Sequence, residues 1–227
     1  MTPIARLAEA CLAFDSSWRA HACSMRAVQL LRGSGGLEVA LQAALTIAKG
    51  FPSEFNAAHE FDDLLEELDW LRDEQFEPLR RNCLLGVCAS FENSVKVAAT
   101  ALSFGPAWVS SASDRARLDE DCDDAFGERF DQMDREWKGK QSRFFATWFP
   151  YLDTGTVAGA TDAMWLRNQI VHNASRARSH RDLQALGLRF DAGDTISLTQ
   201  PVIGAAVLAL RECVVAAFKG SPYLEHF

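Results

Sequence analysis

Between residues 79 and 102 the chain carries Leu79, Cys83, Leu84, Val87, Cys88, Phe91, Val95 and Leu102 on one broad stripe at helical spacing. A helix with so wide an apolar face must bury it against other elements, which commits the chain to packed helices. The pattern recurs on both sides. From about residue 3 to 31 the apolar positions are Ile4, Leu7, Cys11, Phe14, Trp18, Met25, Val28 and Leu31, and Arg32-Gly33-Ser34-Gly35-Gly36 ends that run in a flexible turn. A shorter helix is expected over 37–48, closed by Gly50-Phe51-Pro52, and another over 61–76, with Phe61, Leu64, Leu65, Leu68 and Leu71 on one face. Pro78 suits the first turn of the next helix, where a missing N–H costs little. Phe104-Gly105-Pro106 ends the 79–102 helix, and Ser113 or Asp114 can cap its successor, which runs toward Trp137 before Gly139 interrupts it.

With 227 residues, the chain is long enough for one substantial core with or without an appendage. We divide it into an N-terminal helical appendage, 1–77, and a helical bundle, 78–227. The start, Met1 to Glu9, has charges where a signal peptide needs an apolar core, so none is expected. The most apolar segment, 202–218, is broken by Arg211-Glu212 and reads as a buried helix rather than a membrane span. The six cysteines have no C-x-x-C spacing and read as reduced core thiols of a cytoplasmic protein.

The net charge of −8 argues against a protein that coats nucleic acid. The charge is unevenly spread. Residues 54–77 hold ten acids against Arg72 alone, and 114–136 is similarly acid-rich with four arginines. By contrast Arg167, Arg176, Arg178, Arg181 and Arg189 follow one another with few acids nearby. The acidic runs read as solvated faces. A small basic patch among them suits a short anionic segment better than a long duplex.

The chemistry concentrates in Trp165-Leu166-Arg167-Asn168-Gln169-Ile170-Val171-His172-Asn173-Ala174. Arg167 offers a flat fork of donors suited to phosphate oxygens. His172 can take or give a proton near neutral pH. Asn168 and His172 are four apart and share a helix face, whereas Arg167 and His172 are five apart, roughly 140° around the axis. One helix should therefore point these two partly away from each other. Two copies packed face to face would gather two sets in one cleft. Met164, Trp165, Ile170 and Val171 are expected to anchor the helix, and Thr161 or Asp162 to cap it after Gly155 and Gly159 loosen the chain. Phe144, Phe145, Trp148 and Phe149 form an aromatic cluster that could stack bases but at this spacing reads as core. His21, His59, His180 and His226 have no comparable company. No Asp, Glu or His cluster has metal-ligand spacing, so neither metal nor cofactor is expected.

The Arg167-Asn168-x-x-x-His172-Asn173 form resembles the signature of the HEPN superfamily, an Arg followed after four to six positions by His. Its ribonuclease members are all-α proteins that dimerise through the motif helices and cut RNA without a metal. The order of elements is similar too: a motif helix, a polar loop, a short hairpin and a closing helix. The hairpin signal comes from Gly187-Leu188-Arg189-Phe190 and Thr195-Ile196-Ser197-Leu198, which alternate around Asp191-Ala192-Gly193-Asp194, and Thr199 can cap the last helix. The likeness covers roughly 79–218 in pattern and the motif in detail. It implies an all-α, HEPN-like bundle with one short β-hairpin before the last helix. Ala89-Ser90-Phe91-Glu92-Asn93 resembles a family helix that packs on the motif helix and carries an acid, so that Glu92 would reach Arg167 or orient His172. On residue spacing alone, Glu92 equally pairs with Lys96 on the surface. HEPN toxins of the best-known antitoxin pairing have Tyr two residues after the His, and here that residue is Ala174.

The resemblance implies an endoribonuclease with Arg167, Asn168 and His172 as its catalytic residues and Glu92 and Asn173 in support. Arg176, Arg178 and Arg181 would hold RNA. Its setting would be a toxin–antitoxin pair or phage defence, with a homodimer through the motif helices, an antitoxin or defence-system partner and no membrane. Two other readings fit the same residues: a non-catalytic helical dimerisation adaptor, and a nucleotide-binding regulator using Arg167 for a phosphate.

Overall fold

The computed structural model describes residues 6, 9, 10, 12–17, 19, 20, 23, 77–104 and 115–220. The helices expected over 37–48 and 61–76 lie outside these residues, as do the 33–36 turn, the Gly50-Phe51-Pro52 stop, the Gly105-Pro106 break and the Ser113 or Asp114 cap. Most of the appendage expected over 1–77 therefore lies outside them as well.

The described residues are all-α apart from one small hairpin. In chain order they form α1 (Glu77–Ser103), α2 (Arg115–Gly139), α3 (Gln141–Trp148), α4 (Thr154–His172), β1 (Arg181–Leu183), a 3-10 turn (Gln184–Leu186), β2 (Leu188–Phe190) and α5 (Gln200–Lys219). At 27 residues α1 is about 40 Å long. Its stripe is buried as the spacing predicts: Leu84, Val87, Cys88, Phe91 and Val95 are fully enclosed. Phe91 meets Trp137 of α2 at 6.2 Å and Phe145 of α3 at 6.4 Å, and Trp137 packs edge-on against Phe144 at 5.3 Å. Phe144, Phe145 and Phe149 are thus core residues, while half-buried Trp148 donates its indole N–H to Glu136 at 2.8 Å. Of the N-terminal segment, Phe14 enters this same core 6.4 Å from Phe91, and Ser94 of α1 donates to the Ala10 carbonyl.

The helix bearing the motif starts earlier than Thr161 or Asp162. Asp153 is its N-cap, accepting from the Thr156 backbone N–H at 2.9 Å and from the Thr156 hydroxyl at 2.6 Å. Gly155 and Gly159 lie inside α4, and instead of loosening the chain Gly159 lets α5 come close: a Cβ there would stand 3.1 Å from that of Ala209. Asp162 is buried in mid-helix and lies 3.5 Å from the Arg181 guanidinium of β1. Burial raises its carboxyl above the usual range, against the pull of Arg181. The anchors of α4 are Ala160, Ala163, Met164 and Leu166, all buried, with Trp165 and Ile170 packed at their edge. Val171, expected among them, is 46% exposed.

The hairpin has a different pairing from the expected one. β2 pairs antiparallel with β1, with Leu183 opposite Leu188, and not with 195–198. Gly187, at φ 64° after the 3-10 turn, makes the reversal that the alternation at 187–198 does not reveal. The Asp191–Asp194 turn does form, but the chain beyond it pairs with the loop that follows α4: Ala177 donates to the Asp194 carbonyl at 2.9 Å and Ile196 to that of Ser175 at 2.8 Å. Trp165 stacks on Phe190 at 6.0 Å, seating the hairpin on α4.

α5 packs on both α1 and α4 and buries Ile203, Ala206, Leu210, Cys213, Val214 and Ala217. In length and composition this helix could cross a membrane; a third of its most apolar stretch is buried in the core, and Leu208 is 50% exposed. Thr199 is its N-cap residue by position, without a side-chain capping bond, and Pro201 falls in the first turn. Cys83, Cys88 and Cys213 are buried thiols as expected, whereas Cys23 is exposed.

Two glycines separate helix propensity from packing. A Cβ added at Gly204 of α5 would meet only open space, so Gly204→Ala should raise stability by about 0.5–1 kcal/mol. Gly159→Leu should lower it by about 2 kcal/mol or more by forcing α4 and α5 apart. Thermal unfolding of both variants measures the contrast; equal shifts would mean that Gly159 does not set the α4–α5 distance.

Candidate functional site

A cavity of about 540 Å³ lies between α1, the junction of α2 and α3, and α4, lined by Glu92, Trp137, Lys138, Gly139, Gln141, Met164, Arg167, Asn168 and His172. It opens to solvent where His172, Lys138 and Gly139 are exposed. Arg167 and His172 therefore face one space within a single copy, despite their angular offset on α4. The cavity is wide enough, and the arginine stem long enough, to bridge that offset.

Arg167 is half-buried and donates through Nη1 to Asn168 Oδ1 at 2.9 Å. Among the described residues no carboxylate pairs with its guanidinium, and no side chain hydrogen-bonds the His172 ring. Arg167 approaches α1 closely enough to act on Cys88. Burial pushes that thiol up to about 12 while the guanidinium pulls it down and Glu92 pushes it further up. Such a thiol is inert near neutral pH.

Glu92 lines the cavity but is bound to Lys96 at 3.0 Å, the pairing expected from spacing, though a largely buried one and not on the surface; no bond from it to Arg167 or His172 is formed. Lys96 is almost enclosed and also holds Asp134 of α2 at 2.7 Å. Asp134 in turn binds Lys138. The result is an alternating chain, Glu92–Lys96–Asp134–Lys138, whose two ends stand at the cavity wall opposite the motif helix. The bonds from Lys138 and Lys96 hold the Asp134 carboxyl below the usual range, and Asp134 raises Lys138, which keeps its charge. Two cations, Arg167 and Lys138, thus flank the space; Lys138 is paired with Asp134 as Glu92 is with Lys96, and Arg167 alone has no carboxylate partner among the described residues. In a chain of net charge −8 this leaves a local positive charge facing the cavity.

The motif helix ends in a fastened loop. Asn173 is its C-cap residue, and its amide Nδ2 donates to Gln169 Oε1 at 2.9 Å. The same oxygen accepts from the Arg178 backbone N–H at 3.0 Å. Asn173 is thus placed to hold the loop and does not line the cavity. Ala174 and Ser175 take left-handed conformations, φ 47° and 61°, as the chain turns away from His172. Arg176 and Arg178 are exposed, with Arg176 reaching the Gly193 carbonyl at 3.5 Å, and Arg181 is engaged by Asp162. None of these three arginines lines the cavity. His180 is likewise outside it, bound to Asp191 at 2.6 Å.

Three residues of the site are not evident from the sequence. Lys138 and Gln141 come from the α2–α3 junction, where the only visible signal is Lys138-Gly139-Lys140 at a helix break. Buried Gln169, inside the motif itself, reads there as a spacer. Among the described residues no group of three or more His, Cys, Asp or Glu side chains is arranged to hold a metal ion. In comparisons with known proteins, no family model matches the chain, and no curated protein or solved structure matches it.

Lys96 should prove the stability keystone of this wall. Lys96→Met keeps the stem but leaves two carboxylates without their shared cation, and should destabilise by about 2 kcal/mol near pH 7, less than a fully buried pair because both partners keep some contact with water. Asp134 has a lowered folded-state pKa, so the stability it contributes is complete above its ordinary value of 3.8 and is lost as pH falls through the folded value. The gap between wild type and Lys96→Met should therefore narrow in acid, as followed by urea unfolding from pH 7 to pH about 3. A gap independent of pH would remove Asp134 from this role.

Proposed function

We propose that the chain is a metal-independent endoribonuclease built on a HEPN-like bundle. The observation that carries this reading is the convergence of Arg167, Asn168 and His172 on one solvent-open cavity whose guanidinium has no carboxylate partner among the described residues. An arginine paired to an acid would be a structural residue; this one keeps donors for a phosphodiester.

RNA carries its own nucleophile beside each phosphate, so the protein needs only to move protons and stabilise charge. In the proposed reaction the 2′ oxygen bonds to phosphorus as its proton passes to a base, and the bond from phosphorus to the 5′ oxygen breaks as that oxygen gains a proton. The products are a 2′,3′-cyclic phosphate and a 5′-OH. His172 serves one of these transfers, a contribution of about 10²–10⁴ in rate. Arg167 and Lys138 bind the phosphate and stabilise its added charge in the transition state. Asn168 holds the guanidinium through Oδ1, leaving its amide N–H groups for the phosphate or the imidazole.

One imidazole cannot be base and acid in the same step. The second is assigned to another copy of the chain, docked through the motif helices, and the exposed Val171 beside His172 suits such a contact. A toxin or phage-defence effector is the setting in which a protein of this kind would act, under the control of an antitoxin or defence partner. With Ala174 in place of the family tyrosine, control by modification of that side chain is not part of the proposal.

The purified protein incubated with RNA in excess chelator should yield fragments ending in cyclic phosphate, and His172→Ala should reduce the rate at least a hundredfold. His172 is exposed, so this variant should fold normally. Cleavage unchanged by the substitution would overturn the assignment. Nucleotide binding without cutting would favour the regulator, and neither activity the adaptor.

A further inference from the structure

A second cavity, about 440 Å³, adjoins the first across Gly139, which lines both. Its walls include Glu136, Lys140, Arg143 and Thr147. Lys140 and Arg143 are exposed, and among the described residues neither side chain has an ion-pair partner. The acid on this wall, Glu136, accepts from the Trp148 indole at 2.8 Å and from the Gln132 amide at 2.9 Å, one bond to each carboxylate oxygen; these neutral donors fix its position and leave its charge, so the wall carries two cations against one carboxylate. Lys138 thus lines the first cavity with Arg167 and His172, and Lys140 and Arg143 line the second, the two cavities meeting at Gly139.

We infer that the two adjoining cavities together form a phosphate track for single-stranded RNA, in which Arg167 and Lys138 hold the phosphate at the reacting position and Lys140 and Arg143 hold a neighbouring phosphate of the same strand. The inference rests on the proposed ribonuclease reading for the identity of the reacting position, but its physical content is separate. Cations spaced along a groove recognise a backbone of repeated charge, whereas a single nucleotide fills only the first cavity. The flexible single strand can follow the step across Gly139. A long duplex would also meet the acidic remainder of the surface, which opposes it.

The test measures binding without cleavage, using fluorescent oligouridylates fully 2′-O-methylated so that no nucleophile is present. Wild type should bind the hexanucleotide more tightly than the dinucleotide and with a steeper salt dependence. The double variant K140A/R143A should lose that length advantage, and its log–log salt slope for the hexanucleotide should be shallower by about 0.7, the figure for one neutralised phosphate on a single strand. Arg135→Ala removes an exposed arginine of α2 that lines neither cavity, and should keep both the advantage and the slope. Retention of length advantage and slope by K140A/R143A would overturn the track. So would an equal loss in Arg135→Ala, which would make the effect one of overall charge, or equally tight binding of a duplex of the same length. If wild type cuts no RNA yet the double variant loses the length advantage, the track stands and the ribonuclease reading falls.

Discussion

The contact between Phe91 and Trp137 is the interaction on which the site's geometry depends. It joins the middle of α1 to the end of α2, and Phe144 and Phe145 of α3 close around it. Trp137 is both a core residue and part of the cavity lining, so the floor under the polar residues is an aromatic cluster in close packing. Large rings in mutual contact resist small displacements, because interiors at crystal-like density have few alternative arrangements. Lys138, Gly139 and Gln141 follow directly from that anchored tryptophan. Their positions relative to α4 are inherited from it.

The opposite wall is positioned by small residues rather than large ones. Gly159 and Ala209 let α4 and α5 approach closely, and the hairpin leans on α4 through Trp165 and Phe190. Polar bonds then secure what lies beyond the helix end. Gln169 holds the following loop through both Asn173 and the Arg178 backbone, and Asp162 engages Arg181. The buried polar side chains of α4 thus maintain the frame, while the half-exposed and exposed ones, Arg167, Asn168 and His172, face the open space. Such a division fits a site whose reactive groups must be accessible while their supports are not.

Electrostatics adds a second division. The lysines and acids of α1 and α2 neutralise each other in the Glu92–Lys96–Asp134–Lys138 chain, which leaves the cavity with surplus positive charge although the whole chain is acidic. Glu92 illustrates how position and partner are separate matters. It lines the same cavity as Arg167 and His172, yet its carboxylate is held by Lys96.

The amino-acid sequence alone determined the helical class, the buried stripe of α1, the core role of Phe144, Phe145 and Phe149, and the residues Arg167, Asn168 and His172 as one group. Each follows from local periodicity or from neighbours within about two helical turns, information that a linear chain displays directly. Only the tertiary structure decided the partner of β2, because strand 181–183 is too short for alternation to identify and the reversal between the two depends on Gly187 in a left-handed conformation. It also decided where α4 begins, since an N-cap is recognised by the bond Asp153 makes and not by residue type alone. Above all it brought Lys138 and Gln141 opposite Arg167, from nearly thirty residues away in sequence. That juxtaposition comes from helices packing on a shared core, and long-range packing leaves no periodic trace in either segment.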